Sequence, residues 1–252
     1  MSKRENESYL VDRALERAAQ AVAVATAPGG PSLERLRTQF GDPKASLDDR
    51  VRYLTEVANL CCRAASWREG EQVARAAVGL AEYSGDSAMK ALASLRLGTL
   101  MIQAFEHGYG GDEEDSLSAA LAHLDGAAEI YESIGSLDFY PCLLAIARTL
   151  EICEDDPRGV YARITADLTG EKWEQASRQS PDLARHVDYL RGRAFLGLGE
   201  AELVAGNHTL AAERLSAARE LLQASQAPDL AELLARIDEH ARNDGGRSPN
   251  DG

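Results

Sequence analysis

Residues 189–224 constrain the fold more than any other stretch of this chain. Apolar residues recur there at spacings of three and four on both sides of Gly206-Asn207, which is typical of two amphipathic helices joined by a tight turn. Small residues stand where the two helices would touch: Gly199 on the first, Ala211 and Ala218 on the second. Because helix axes approach closely only where the contact side chains are small, this stretch predicts an antiparallel helix hairpin.

Two earlier stretches carry the same arrangement of small residues. Their members are Ala58, Gly70 and Ala77 in one stretch, and Gly98, Ala120 and Ala127 in the other. In all three stretches the last two small residues are seven apart, so a contact seam continues along one helix face. Alternating apolar and polar residues are absent and β-branched residues do not cluster, so no strand is predicted. The sequence therefore predicts an all-α chain.

This pattern resembles the tetratricopeptide repeat (TPR), a helix pair that recurs roughly every 34 residues. The residues that carry the resemblance follow two of the stretches: Val57, Ala58, Trp67, Ala77 and Leu80, and Leu198, Gly199, Gly206, Asn207, Ala211, Leu215 and Ala218. The equivalent alanines Ala77, Ala127 and Ala218 are 50 and then 91 residues apart. The resemblance therefore implies an antiparallel helix-hairpin α-solenoid with longer and partly degenerate repeats, one of them within residues 138–168.

The remaining stretches complete the predicted organisation. Residues 1–45 are expected to be an N-terminal helical extension, with helices near 8–27 and 33–40. Residues 46–242 are expected to be the TPR-like α-solenoid, which opens on a capping box at Ser46 and Asp49 and closes on a capping helix from residue 230. Ser87 is expected to cap the helix that follows it. Residues 243–252 are expected to be a disordered tail.

Charge and composition limit the classes of partner that the chain is expected to bind. The chain has 41 acidic and 27 basic residues, a formal net charge of -14, and no dense basic patch, so nucleic-acid binding is not expected. No apolar run approaches the roughly 20 residues of a membrane span. Four cysteines occur without a C-x-x-C pair or a secretory signal, which favours free thiols and a cytoplasmic protein.

Motifs for chemistry are missing. The five histidines lack metal-ligand spacing, and neither a nucleophile motif, a phosphate loop nor a dinucleotide fingerprint occurs. We therefore predict no catalytic residue, no cofactor and no metal site. Negative charge ahead of a helix N-terminus accounts for the acidic run at 112–115, whose role is otherwise open.

The resemblance also implies a site, because the first helix of each TPR pair lines a concave groove. The residues that would face it are Arg52, Thr55, Asn59, Arg63, Arg96, Thr99 and Gln103. Arginine and asparagine together can hold a peptide carboxylate or an extended backbone, whereas the plain alternative is a solvated helix face.

The expected function is that of a protein-protein interaction adaptor or scaffold, which binds a peptide or helix of a partner protein in this groove. One alternative is a peptide-sensing regulatory protein of the bacterial TPR type. A helical enzyme without a recognisable motif is a third. The exposed ends of a solenoid could also pair, so a homo-oligomer is compatible with the sequence, and the identity of the partner is open.

Overall fold

The computed structural model describes residues 46–109, 113–227 and 229–245. The described residues form ten helices and no strand, which confirms the all-α prediction. The helices predicted near 8–27 and 33–40 lie outside the described residues, as does the tail beyond residue 245. The chain divides into two compact units, Met1–Ala145 and Ile146–Gly252, and the division falls within the stretch predicted as one solenoid.

The helices follow one another through short connections. They are α1 (Leu47–Arg63), α2 (Trp67–Ser84), α3 (Ser87–Glu106), α4 (Glu113–Ser133), α5 (Phe139–Ile152), α6 (Arg158–Leu168), α7 (Glu171–Gln179), α8 (Pro181–Val204), α9 (His208–Ser225) and α10 (Leu230–Gly245). The last helix extends into the first residues of the predicted tail. No described helix is both long and apolar enough to cross a bilayer.

Local signals fix several helix ends. The predicted capping box is present: the Asp49 amide donates to Ser46 Oγ over 3.1 Å, and the Ser46 amide donates to the Asp49 carboxylate over 3.3 Å. The prediction for α3 is wrong by one residue. Asp86, rather than Ser87, is its N-cap, because the Asp86 carboxylate accepts from the amides of the second and third helical residues.

Small residues form the helix contacts of the first unit. A Cβ atom placed on Gly70 of α2 would lie 3.1 Å from the Cys61 Cβ of α1. One placed on Gly98 of α3 would lie 2.7 Å from the Leu124 Cγ of α4 and 3.0 Å from the Ala120 carbonyl oxygen. The other small residues of both predicted seams are buried: Ala58, Ala77, Ala120 and Ala127. These contacts confirm the predicted positions of the seams.

The hairpin of α8 and α9 has the same construction in the second unit. A Cβ on Gly199 would lie 2.7 Å from the Leu215 Cγ, and one on Gly192 would lie 2.8 Å from the Leu222 Cγ. The earlier glycine thus faces the later leucine, so the two helices run antiparallel. Helix α10 then covers the hairpin through a shared apolar cluster made of Leu196, Leu215, Ala218, Leu222, Leu233 and Ile237. Burial of these side chains from water is the main stabilising term of the unit.

Helix α8 also contacts α6 on its other side. A Cβ on Gly197 would lie within 2.3 to 2.7 Å of three ring atoms of Tyr161, so the tyrosine ring lies directly on the α8 backbone. The Tyr161 hydroxyl donates to Glu151 Oε1 of α5 over 2.8 Å. This buried ring therefore ties the end of α5 and the body of α6 to the middle of α8.

Candidate functional site

Three arginines of the first unit form a polar surface that we call the arginine face: Arg52 and Arg63 on α1 and Arg96 on α3. Arg96 interacts electrostatically with Arg63, and both Arg52 and Arg96 act on the Tyr131 hydroxyl of α4. Burial raises the pKa of Tyr131, with the nearby Asp138 adding to the rise, while the two arginines oppose it. The packing of α1, α3 and α4 thus brings these predicted site residues together.

Arg96 is the most enclosed of the three. Its Nε is buried and has no hydrogen-bond acceptor among the described residues. Burial is also the main cause that lowers the pKa of the Arg96 guanidinium. Arginine nevertheless stays charged in proteins, so the group is a cation that has lost part of its water. A buried donor without an acceptor is costly, which makes this position favourable for an incoming anion.

Arg52 and Arg63 are exposed, and neither forms an ion pair with any residue that the structure describes. Among the described residues, Glu56 is the carboxylate that acts on the Arg96 charge, and the two form no ion pair. Seven other arginines on described helices bond a carboxylate within four residues in sequence, as Arg75 bonds Glu71 at 2.6 Å. The arginine face is therefore a local surplus of positive charge on an acidic chain.

Two predicted site residues, Thr55 and Thr99, use their hydroxyl groups for hydrogen bonds within their own helices. Thr55 is 2% exposed and its hydroxyl donates to the Val51 carbonyl oxygen over 2.8 Å. The prediction that Thr55 faces an open groove is therefore wrong, because the residue is buried and its hydroxyl is satisfied by its own helix. Thr99 is half-buried and donates in the same way to the Leu95 carbonyl oxygen over 2.8 Å.

Asn59 and Gln103 lie at the edge of the arginine face. The Asn59 amide donates to Glu56 Oε2 over 3.3 Å. The Cys62 thiol donates to Gln103 Oε1 over 3.1 Å and so links α1 to α3. Burial raises the pKa of the Cys62 thiol to about 11, which keeps it protonated as the donor in this bond. Since the Gln103 oxygen is engaged, its amide nitrogen is the part that can donate to a ligand.

A cleft in the second unit was not predicted. It has a volume of about 990 Å³, and its walls come from the end of α5, the start of α6, the end of α8, the start of α9 and the outer part of α10. Ten of its fifteen lining residues are polar or charged: Arg148, Glu151, Glu154, Asp155, Asp156, Arg158, Glu200, His208, Arg236 and His240. The other lining residues are apolar: Pro157, Ala201, Leu203, Val204 and Ala205.

Ion pairs hold the walls of this cleft. On one side, Arg236 Nη2 lies 2.7 Å from both Glu200 oxygens, and His240 Nε2 lies 3.0 Å from Glu200 Oε1. On the other side, hydrogen bonds from the side chain and backbone of Arg158 lower the pKa of Asp156 to about 2. Both walls are thus fixed by charged hydrogen bonds.

The sequence contains one usable signal for the cleft. Arg236 and His240 are four residues apart, which places them on one face of α10, the helix predicted only as a cap of the array. The partner carboxylate Glu200 is 36 residues away from Arg236, so only the packing of α10 against α8 brings the two together.

Among the described residues, no group of three or more histidine, cysteine or acidic side chains is arranged to hold a metal ion. All four cysteines are free thiols. No protein-family profile, curated protein or solved structure matches this chain.

Proposed function

We propose that this chain is a protein-protein interaction adaptor, built from TPR-like helix hairpins, whose arginine face binds an acidic segment of a partner protein. The observation that carries the proposal is the arginine face itself. Arg52, Arg63 and Arg96 have no ion-pair partner among the described residues, and Arg96 Nε is buried without an acceptor.

Charge and geometry favour a carboxylate as the bound group. A guanidinium offers parallel N–H donors that match the two oxygens of a carboxylate, and such pairs are among the strongest hydrogen bonds in proteins. The enclosed Arg96 has already lost water, so an anion that reaches it gains more than it would at an exposed lysine. Asp, Glu and a C-terminal carboxylate all supply this group.

The helix hairpins support the TPR-like part of the proposal. In three hairpins a glycine of one helix lies against the partner helix: Gly70 meets Cys61 of the preceding helix, while Gly98 and Gly199 meet a leucine of the following helix. In a TPR-like array, the first helix of each pair would line a groove, and α1 and α3 carry the three arginines. A peptide or helix of the partner would then lie along α1 and α3.

The experiment compares two double variants that make the same change of charge. Arg52→Glu/Arg63→Glu reverses the arginine face, while Arg68→Glu/Lys90→Glu reverses two exposed cations of α2 and α3 elsewhere in the same unit. The probes are fluorescein-labelled peptides rich in Asp and Glu, each with a free or an amidated C-terminus, and the readout is fluorescence anisotropy. We expect the first variant to lose at least about tenfold in affinity and the second to keep the affinity of the unaltered chain.

The outcomes separate the alternatives. Equal affinity of both double variants would contradict the proposal. A loss of affinity on amidation would identify a C-terminal carboxylate as the bound group, and no change would identify acidic side chains. Native mass spectrometry of the protein from its own cells adds one comparison. A retained short peptide would favour the peptide-sensing regulator, whereas a stoichiometric partner protein would favour the adaptor.

A further inference from the structure

The cleft of the second unit has an unbalanced charge. Its walls carry five carboxylates and three guanidinium groups, so two negative charges are in excess when the histidines are neutral. Each guanidinium bonds a carboxylate of the cleft: Arg148 bonds Glu151 at 2.8 Å, Arg158 bonds Asp156 at 2.7 Å, and Arg236 bonds Glu200 at 2.7 Å. The two remaining carboxylates are those of Glu154 and Asp155, which form no ion pair with a described residue.

The two residues that carry these carboxylates belong to the turn that follows α5. Glu154 has a φ of 59°, in the left-handed region that a residue with a side chain rarely adopts. The Glu154 amide donates to the Glu151 carbonyl oxygen over 3.2 Å, and the Asp155 amide donates to the Leu150 carbonyl oxygen over 2.9 Å. The end of α5 is therefore closed by a defined backbone turn, and both exposed residues belong to it.

Apolar residues line part of the cleft. Leu203 and Val204 end α8 there, with Ala201 and Ala205 beside them. The Val204 side chain is 91% exposed, which is more than any other large apolar residue that the structure describes. Covering it with an aliphatic group would remove this surface from water.

We propose that this cleft binds a short cationic segment of a partner protein, in which a lysine or arginine side chain is accompanied by an aliphatic one. The cation would lie against the Glu154 and Asp155 carboxylates, and the aliphatic side chain would lie on Leu203 and Val204. This inference does not rest on the arginine face, which belongs wholly to the first unit. The chain would then have two binding surfaces of opposite charge preference, one in each unit.

The volume of about 990 Å³ limits the bound segment to a few residues, since it lies at the upper end of the range for small-ligand sites. Such a segment makes few contacts, so charge complementarity dominates its recognition. Its affinity should therefore fall as salt is raised, because screening shortens the reach of exposed charges.

The test uses the full chain and a fluorescein-labelled peptide of about ten residues made of lysine and leucine, which is long enough to fill the cleft. Two control peptides of equal length are made of glutamine and leucine, and of lysine and serine, so that neither offers a carboxylate side chain to the arginine face. We expect saturable binding of the lysine–leucine peptide by fluorescence anisotropy, with at least about tenfold weaker binding of either control. Absence of saturable binding, or equal binding of a control peptide, would overturn the proposal.

Matched variants locate the site. Glu154→Lys/Asp155→Lys should weaken binding of the lysine–leucine peptide at least about tenfold, since it replaces the attraction by repulsion. Glu213→Lys/Glu220→Lys makes the same change of charge on exposed residues of α9 outside the cleft and should leave the affinity within about twofold. Equal loss in both variants would show attraction by the acidic surface as a whole and would also overturn the proposal. Circular dichroism verifies that both variants are folded.

Discussion

The Arg236 guanidinium of α10 bonds both carboxylate oxygens of Glu200 on α8, each at 2.7 Å. The Glu200 side chain is only 18% exposed, whereas the Arg236 side chain is 44% exposed. A pair that is shielded on one side should stabilise the fold more than an open surface pair. We expect a double-mutant cycle of Arg236→Met and Glu200→Gln, measured by urea unfolding, to give a coupling free energy of about 1 kcal/mol.

The control for this cycle is the pair of Arg178 and Glu174 on α7, which are 3.1 Å apart and 71% and 61% exposed. Its coupling free energy should be at most about 0.5 kcal/mol, because water screens both charges. If both cycles give the same coupling, the contact between Glu200 and Arg236 does not help to hold α10 on α8.

Glycine substitutions in the first unit should have opposite effects at two positions. Gly98→Ala places a Cβ 2.7 Å from the Leu124 Cγ, so we expect a loss of about 1–3 kcal/mol in the free energy of unfolding. Gly126→Ala, on the exposed face of α4, meets nothing within 4 Å and should gain up to about 1 kcal/mol through helix propensity. Thermal or urea unfolding of both variants measures the difference. A stabilising Gly98→Ala would show that α3 and α4 can separate without cost.

The N-terminus of α3 offers a comparison between neighbouring residues. The Asp86 carboxylate accepts from the Ala88 amide at 2.7 Å and from the Met89 amide at 3.3 Å. Asp86→Ala should therefore lower the free energy of unfolding by about 1 kcal/mol. Ser87→Ala should change it by only a few tenths, since the exposed Ser87 is the first residue of the helix rather than its cap. The reverse order of the two effects would restore the assignment of Ser87 as the cap.

Buried thiols should make the protein less stable in alkali. Burial raises the pKa of Cys61 and of Cys142 from 9.0 to about 12. In the unfolded chain these thiols ionise near pH 9, so their contribution to stability is complete below that pH and is lost as the pH rises toward 12. At about pH 9.5 we expect each thiol to reduce the free energy of unfolding by on the order of 1 kcal/mol relative to pH 8.

Two measurements test this expectation. Cys61→Ala/Cys142→Ala should flatten the pH dependence of urea unfolding, whereas Cys153→Ser, at an exposed position, should leave it unchanged. In the native protein at pH 8, a thiol reagent should modify Cys153 rapidly and reach Cys61 and Cys142 only after unfolding. Rapid modification of all cysteines in the native state would contradict the burial of these two.

The sequence was informative wherever neighbouring residues determine the structure. The seven-residue spacing of Ala211 and Ala218 identified the seam of the α8–α9 hairpin, because a helix face repeats over that distance. The same kind of reasoning misplaced Thr55, since residue type alone does not show that a hydroxyl is satisfied by its own helix and can enter the core. Residue preferences at the N-cap position likewise do not distinguish Asp86 from Ser87, because Asp and Ser are both favoured there.

The sites were harder to predict than the helices. The arginine face was partly expected, because Arg52 and Arg63 share one helix with a simple spacing. The enclosure of Arg96 depends on α1 and α4 packing around α3, which no local pattern encodes. The cleft was missed altogether, since Glu200, Arg236 and the 154–155 turn meet only through tertiary packing.

Helix α8 has close contacts on two opposite sides. Gly192 and Gly199 face α9, while Gly197 lies about 200° around the helix from Gly199 and meets the Tyr161 ring. A helix that is wedged on both sides has little freedom to accept mutations, because a shift that relieves one contact compresses the other. Substitutions in this unit should thus be tolerated least along the middle of α8 and more readily on α7. During evolution, surface positions should therefore change faster than the middle of α8.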